Sequence, residues 1–143
     1  MLSKKMQAAL NEQINAELFS AYVYLAMSAH CEAQNLPGFA AWLRRQAREE
    51  VAHAMKIFDF VTDRDGRVAL AAVPQPAASY KTPLAMWTKV LEHERHVSAL
   101  INDLYALAVK ESDYAAQAML QWFVTEQVEE EKTARQILEQ VKM

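Results

Sequence analysis

The sequence predicts an all-α fold in which four long helices form a bundle, and three observations support this. Glycine and proline are scarce, with 2 and 4 in 143 residues, so little interrupts a helix. Four stretches repeat apolar residues in steps of 4 and 3, the spacing of one helix face. Two short breaks and one long segment separate these stretches. At this length we expect a single domain, residues 1–143.

The first two helices are predicted over about residues 4–33 and 37–66. Pro37 suits a first helical turn. Gly66 is typical of a left-handed residue that ends a helix. Because the break between these helices is short, they must run antiparallel.

The third helix is predicted to begin at Thr82 and Pro83, an N-cap followed by a first-turn proline, and to reach about Lys110. A short turn then leads into a fourth helix that continues nearly to Met143. The third and fourth helices must therefore also be antiparallel.

Residues 67–81 are apolar, contain two prolines and read as a connection. An extended segment of this length spans on the order of 50 Å, whereas each helix is roughly 42 Å long. The segment can thus cross the whole bundle and make the second and third helices parallel. The predicted fold is two antiparallel hairpins joined by a long crossover.

Polar residues interrupt every apolar seam where packing would favour leucine. In chain order the seams are Leu10, Ile14, Glu17, Ala21, Tyr24; Phe39, Leu43, Gln46, Glu50, His53, Ile57, Phe60; Trp87, Leu91, Glu94, Ser98, Ile101; and Leu120, Phe123, Gln127, Glu130, Ala134, Ile137. Burying unpaired charge is costly, so four such seams indicate a metal site inside the bundle. Buried salt bridges are the alternative, but no cationic residue stands near these levels.

The spacing repeats within the chain, because a lone glutamate is twice followed by a pair three residues apart. Glu17 and Glu94 are single acids, and the pairs are Glu50 with His53 and Gln127 with Glu130. The four glutamates would balance two Fe²⁺ ions. Carboxylate and imidazole ligands without thiolate suit iron or manganese, although zinc can also bind.

Composition excludes several functions. The net charge of -3 gives no general attraction for nucleic acid. We find no apolar run of membrane-spanning length and no signal-peptide pattern. The single cysteine, Cys31, suits a reducing compartment. We therefore expect a soluble cytoplasmic protein.

The chain resembles the ferritins of the non-haem bacterial and archaeal type. The matching stretches are NAELFSAYVYL (15–25), REEVAHAMKIFDFV (48–61), LEHE (91–94) and FVTEQVEEE (123–131), and the resemblance covers essentially the whole chain. It implies iron storage and detoxification, in which Fe²⁺ is oxidised by dioxygen or peroxide and Fe³⁺ passes to a mineral core. It also implies a homo-oligomeric cage of twenty-four subunits.

The resemblance assigns the ligands as well. Glu17, Glu50 and His53 would bind the first iron, with Glu50 bridging to a second iron that is held by Glu94 and Glu130, and Gln127 would place its amide near that second iron. A second site without histidine would hold iron less tightly and pass it on. Nothing at Met55 supports haem binding.

Two further assignments have plainer alternatives. Glu49, Glu126 and Glu129 resemble the third iron site of bacterial ferritins, but acidic helix faces are usually only solvated. Tyr24 could hydrogen-bond a ligand or supply an electron, or it could be an ordinary core tyrosine. Trp122 also matches the family pattern, but a place as a core aromatic explains it at least as well as a redox role.

Assembly is suggested by the first helix, which is apolar nearly all round. Its residues outside the seam, Phe19, Tyr22, Val23, Ala26, Met27 and Ala29, are predicted to contact other subunits. Ferritin subunits usually continue into a short fifth helix, whereas this chain ends at Met143, by nature or by engineering. A cage with open four-fold pores or a smaller assembly such as a dimer is therefore an alternative to the closed cage.

Three other functions compete with iron storage. A di-iron oxidase or peroxidase that stores no mineral would be favoured if no cage forms. A DNA-protecting miniferritin is disfavoured, because those proteins place their metal between subunits and this chain has no basic tail. A plain structural bundle is disfavoured by the buried acids.

Overall fold

A computed structural model describes all 143 residues and contains four helices and no strand. The helices are α1 (Lys4–Ala33), α2 (Pro37–Asp63), α3 (Pro83–Lys110) and α4 (Tyr114–Lys142). They confirm the four predicted helices. The chain divides into two compact units, residues 1–80 and 81–143, and each contains one helical hairpin.

Local chemistry explains where the helices begin. The side chains of Ser3, Thr82 and Asp113 each accept a hydrogen bond from the backbone N–H three residues later. Such caps satisfy N–H groups that have no partner within the helix. α2 instead begins with Pro37, which lacks an N–H and has a backbone angle suited to a first turn.

The first three helices end on left-handed residues, none of which is glycine. Asn35, Asp65 and Ser112 have φ angles of 57°, 57° and 53°. After each of them the next N–H reaches back to a carbonyl in the last turn, as Gly66 does to Val61 at 2.8 Å. This is the Schellman arrangement, with the left-handed residue one position past the cap.

The prediction that Gly66 is the left-handed residue is therefore wrong. Asp65 has that conformation, and α2 ends at Asp63. Gly66 is required for a different reason, because a Cβ atom there would lie 2.8 Å from Leu2 Cδ2 and 2.9 Å from the Val61 carbonyl oxygen. Close packing selects glycine at this position.

Most apolar residues of the seams are buried as predicted, although Phe39, Phe60 and Ile137 are half-buried. The outward face of α1 differs from the prediction. Val23 and Met27 are buried within the chain, so they are not available to another subunit. Tyr22 and Leu25 remain 54% and 50% exposed. No helix has an apolar stretch long enough to cross a membrane.

The segment after α2 is fastened to α1 by side chains one helical turn apart. The bonds are from Arg67 N to Gln7 Oε1, from Asn11 Nδ2 to Arg67 O, from Ala69 N to Asn11 Oδ1, and from Asn15 Nδ2 to Ala72 O. They satisfy backbone groups that have no secondary-structure partner.

The same segment reaches the other end of α1, where the rings of His30 and Tyr80 meet edge to face at 5.7 Å. From Gln7 to His30, α1 rises about 35 Å. The connection therefore runs along the hairpin over nearly its whole length, as its extended length predicts.

Candidate metal centre

Three predicted ligands come together inside the first hairpin. Glu17 projects from α1, while Glu50 and His53 project from one face of α2 because they are three residues apart. Their exposed fractions are only 1%, 2% and 5%. Each offers a ligand atom within 4.8 Å of the other two.

The carboxylates have an ordered orientation. His53 Nδ1 lies 3.3 Å from Glu50 Oε2 and 4.0 Å from Glu17 Oε2. The opposite oxygens accept amide hydrogen bonds, from Gln13 Nε2 to Glu17 Oε1 at 3.2 Å and from Gln46 Nε2 to Glu50 Oε1 at 3.3 Å. Both Oε2 atoms are thus directed toward the imidazole.

The electrostatics of this cluster favour a cation. Burial raises the pKa of the Glu17 carboxyl well above its usual range, and the interaction with the neighbouring Glu50 carboxyl raises it further. His53 and the Gln13 amide act in the opposite direction but do not outweigh these effects. Glu17 Oε2 is buried without a hydrogen-bond partner. Two carboxylates, one imidazole and an unsatisfied oxygen fit a divalent ion such as Fe²⁺.

The second hairpin contributes a hydrogen-bonded pair. Glu94 on α3 is 1% exposed and Gln127 on α4 is 5% exposed. Gln127 Nε2 donates to Glu94 Oε2 and to the Glu94 carbonyl oxygen, both at 3.2 Å, and to Ser98 Oγ at 3.1 Å. The Ser98 hydroxyl in turn donates to Glu131. The amide of Gln127 thus holds Glu94, and its predicted place near a second iron stays a prediction.

The remaining predicted residues differ in exposure. Tyr24 is 1% exposed, two turns beyond Glu17 on the same seam of α1. Glu130 and Glu126 are half-buried on α4, whereas Glu129 and Glu49 are exposed. Trp122 is 39% exposed, so the interpretation of it as a core aromatic is wrong.

Sequence reasoning assigned no role to four residues of these networks, Gln13, Gln46, Ser98 and Glu131. Gln13 lies outside the seam of α1 but precedes Glu17 by four residues, the spacing that also joins Gln46 to Glu50. A search for amides four residues before each buried acid would have found both. Ser98 and Glu131 interact across two helices, and no local spacing signals that contact.

Comparison with known proteins identifies the family. A family model described as Ferritin-like domain matches residues 7–143. The bacterial non-heme ferritin of Bacteroides fragilis (strain 638R) is 42% identical over 142 residues, which cover 99% of this chain and 89% of that protein. The open pore ferritin of the hyperthermophilic archaeon Archaeoglobus fulgidus has a TM-score of 0.98 at 48% identity, covering 99% of this chain and 88% of that one. Chlorobium tepidum ferritin has a TM-score of 0.96 at 38% identity, covering 99% of this chain and 87% of that one. These likenesses confirm the ferritin-like bundle of two antiparallel hairpins with a long crossover, and the chain belongs to the ferritin family.

Proposed function

We propose that this protein stores and detoxifies iron by oxidising Fe²⁺ at a paired-iron centre within each chain and passing Fe³⁺ to a mineral core. One observation carries the proposal: Glu17, Glu50 and His53 gather three buried ligand atoms within 4.8 Å. Membership of the ferritin family supports iron as the substrate. We also propose that residues 1–143 form one domain, and that the protein is cytoplasmic.

The first iron would be bound by Glu17, Glu50 and His53. Glu50 would bridge to a second iron, whose other ligands would be Glu94 and Glu130. The bond from Gln127 Nε2 to Glu94 Oε2 supports a role for this amide at the second iron, as a group that holds a ligand. With imidazole on one side only, the second iron would be the more easily released.

The charge of the site suits this substrate. Four carboxylates balance two Fe²⁺ ions, so binding would offset both the burial and the repulsion from Glu50 that raise the pKa of Glu17. Each ion gives up one electron, and the two electrons suffice to reduce dioxygen to hydrogen peroxide or peroxide to water. The protein contributes ligands at a fixed separation and an environment that excludes other reactions.

Two additional roles form part of the proposal. Glu49, Glu126 and Glu129 would bind a third iron ion on its way to storage; the exposure of Glu49 and Glu129 fits a transfer site open to water. Tyr24 would supply an electron or hydrogen-bond a ligand; its burial on the Glu17 seam supports a role beside the centre.

Replacement of Glu50 tests the centre. Glu50→Ala removes a ligand of both ions, so the initial rate of Fe²⁺ oxidation in air should fall at least about tenfold. The rate is measured by ferric absorbance in a stopped-flow instrument. Glu139→Ala is the matched control, because Glu139 is exposed and pairs only with Lys142 on its own helix. An unchanged initial rate in Glu50→Ala would contradict the proposed centre.

A further inference from the structure

Three buried glutamines each donate to a buried glutamate that the proposed function assigns as an iron ligand. Gln127 holds Glu94, Gln13 holds Glu17 and Gln46 holds Glu50, at 3.2, 3.2 and 3.3 Å. The glutamines are only 5%, 4% and 5% exposed. Resemblance to the ferritins accounts for Gln127 alone, and Gln13 and Gln46 have no role in the scheme above.

A buried glutamine is unfavourable unless its amide is satisfied, so its presence at a buried position calls for a reason. Leucine would fill the same space without a polar group. A carboxylate that binds a metal ion is ionised and only accepts hydrogen bonds, so with metal bound each glutamine must present its NH₂. The two amides are therefore donors aimed at ligand carboxylates.

The hydrogen bonds also select which oxygen faces the metal. Both amides bind Oε1, and in both glutamates it is Oε2 that lies toward His53 Nδ1. A carboxylate has about four acceptor positions, so one amide bond on Glu50 Oε1 leaves room for a bridge to a second ion. The amides thus restrict rotation of the carboxylates without occupying their metal-binding positions.

We infer that Gln13 and Gln46 are positioning residues for the first iron, which hold Glu17 and Glu50 with their Oε2 atoms converging on His53 Nδ1. The inference rests on the proposed function, because it takes these glutamates as iron ligands. Groups that orient metal ligands from behind commonly contribute 10–100-fold to metal affinity.

Calorimetric titration with Zn²⁺ tests this without oxidation, since Zn²⁺ binds carboxylate and imidazole but has no redox chemistry. The titration of the unmodified protein is compared with that of Glu17→Ala. The Zn²⁺-binding step that Glu17→Ala lacks is assigned to the first site. Gln13→Met and Gln46→Met remove the amide at nearly constant volume, and each should weaken that step by about 10–100-fold. Gln13→Leu serves as a second variant if Gln13→Met does not fold, as judged by circular dichroism.

Gln117→Met is the matched control, since it also removes a glutamine hydrogen bond, from Nε2 to the Ala108 carbonyl oxygen, at the α3–α4 turn. A merely structural role for Gln13 and Gln46 would lower the Tm, as in the control, and leave Zn²⁺ affinity unchanged. Unchanged Zn²⁺ affinity in Gln13→Met and Gln46→Met, together with loss of the first binding step in Glu17→Ala, would overturn the inference and leave the proposed centre intact. A Glu17→Ala titration identical to that of the unmodified protein would overturn both.

Discussion

At the scale of single residues, Glu17 combines its proposed role as an iron ligand with an energetic cost. Its carboxyl group is 1% exposed, lies beside Glu50 and leaves Oε2 without a hydrogen bond. Without metal, the folded protein must keep a proton there or bury a second negative charge. Functional sites often retain such costs, because the same arrangement binds the ligand.

Glu17→Gln should stabilise the metal-free protein near neutral pH, by on the order of 1 kcal/mol or a few degrees in Tm. Because the folded-state pKa of Glu17 is raised, its contribution to stability is present below the unfolded value of 4.5 and is lost as pH rises through the folded pKa. The advantage of the variant should therefore shrink as pH falls toward 4.5. Thermal unfolding with a chelator, at a series of pH values, measures it.

Glu139→Gln is the control for this prediction, because it neutralises an exposed acid whose partner, Lys142, is also exposed. Its Tm should show no comparable gain at neutral pH. Equal Tm values for Glu17→Gln and the unmodified protein across the whole pH range would show that Glu17 carries no such cost.

The sequence predicted which buried acids come together with His53, but not which side chains hold them. Glu17 and Glu50 stand in apolar seams, where an acid contradicts the pattern and is therefore visible. Gln13 lies beside its seam, and glutamine is common on solvated helix faces, so nothing marked it until its burial was known. The Ser98–Glu131 contact depends on how α3 and α4 pack, which local spacing does not determine.

At the scale of the helix, starts were easier to predict than ends. Thr82 and Pro37 were predicted as starts, because capping and first-turn residues act locally. Helix ends depend on where the last backbone bond forms. The left-handed residue consequently fell on Asp65, one position before the glycine that the sequence offered.

Ser112→Gly should stabilise the protein by up to about 1 kcal/mol, because a non-glycine residue in the left-handed region is strained and serine tolerates it poorly. Asn35→Gly should give a smaller gain, since asparagine tolerates this conformation better. Urea unfolding at constant metal content compares the two. A loss of stability in Ser112→Gly would mean that the serine side chain contributes more than its backbone costs.

At the scale of the whole molecule, the proposal requires that chains assemble around a mineral. Tyr22 and Leu25 are the large exposed apolar residues of α1, and subunit contacts would bury them. The face of α1 that could contact another subunit is smaller than predicted, because Val23 and Met27 are already buried within the chain.

Iron storage predicts that Fe²⁺ added in air will be retained far beyond two ions per chain and will elute with a large assembly on a sizing column. Absorbance of protein and of ferric iron, read on the same fractions, measures this. Glu50→Ala should elute at the same size, because Glu50 is only 2% exposed. Saturation near two ions per chain, with excess iron precipitating, would instead support the oxidase that stores no mineral.

Because the crossover is hydrogen-bonded to regularly spaced side chains of α1, the helix determines how many residues of the crossover lie along each of its turns. Gln7, Asn11 and Asn15 are spaced by about 6 Å along the axis, and the backbone groups that they bind, at Arg67, Ala69 and Ala72, are two and then three residues apart along the connection. Three anchors therefore set the register from Arg67 to Ala72. A single residue inserted between Arg67 and Ala72 would shift backbone groups away from these side chains and break hydrogen bonds. The stretch from Ala72 to Tyr80 has no comparable series of hydrogen bonds to α1. We therefore expect the protein to tolerate insertions and deletions better in residues 73–80 of the crossover than in residues 67–72.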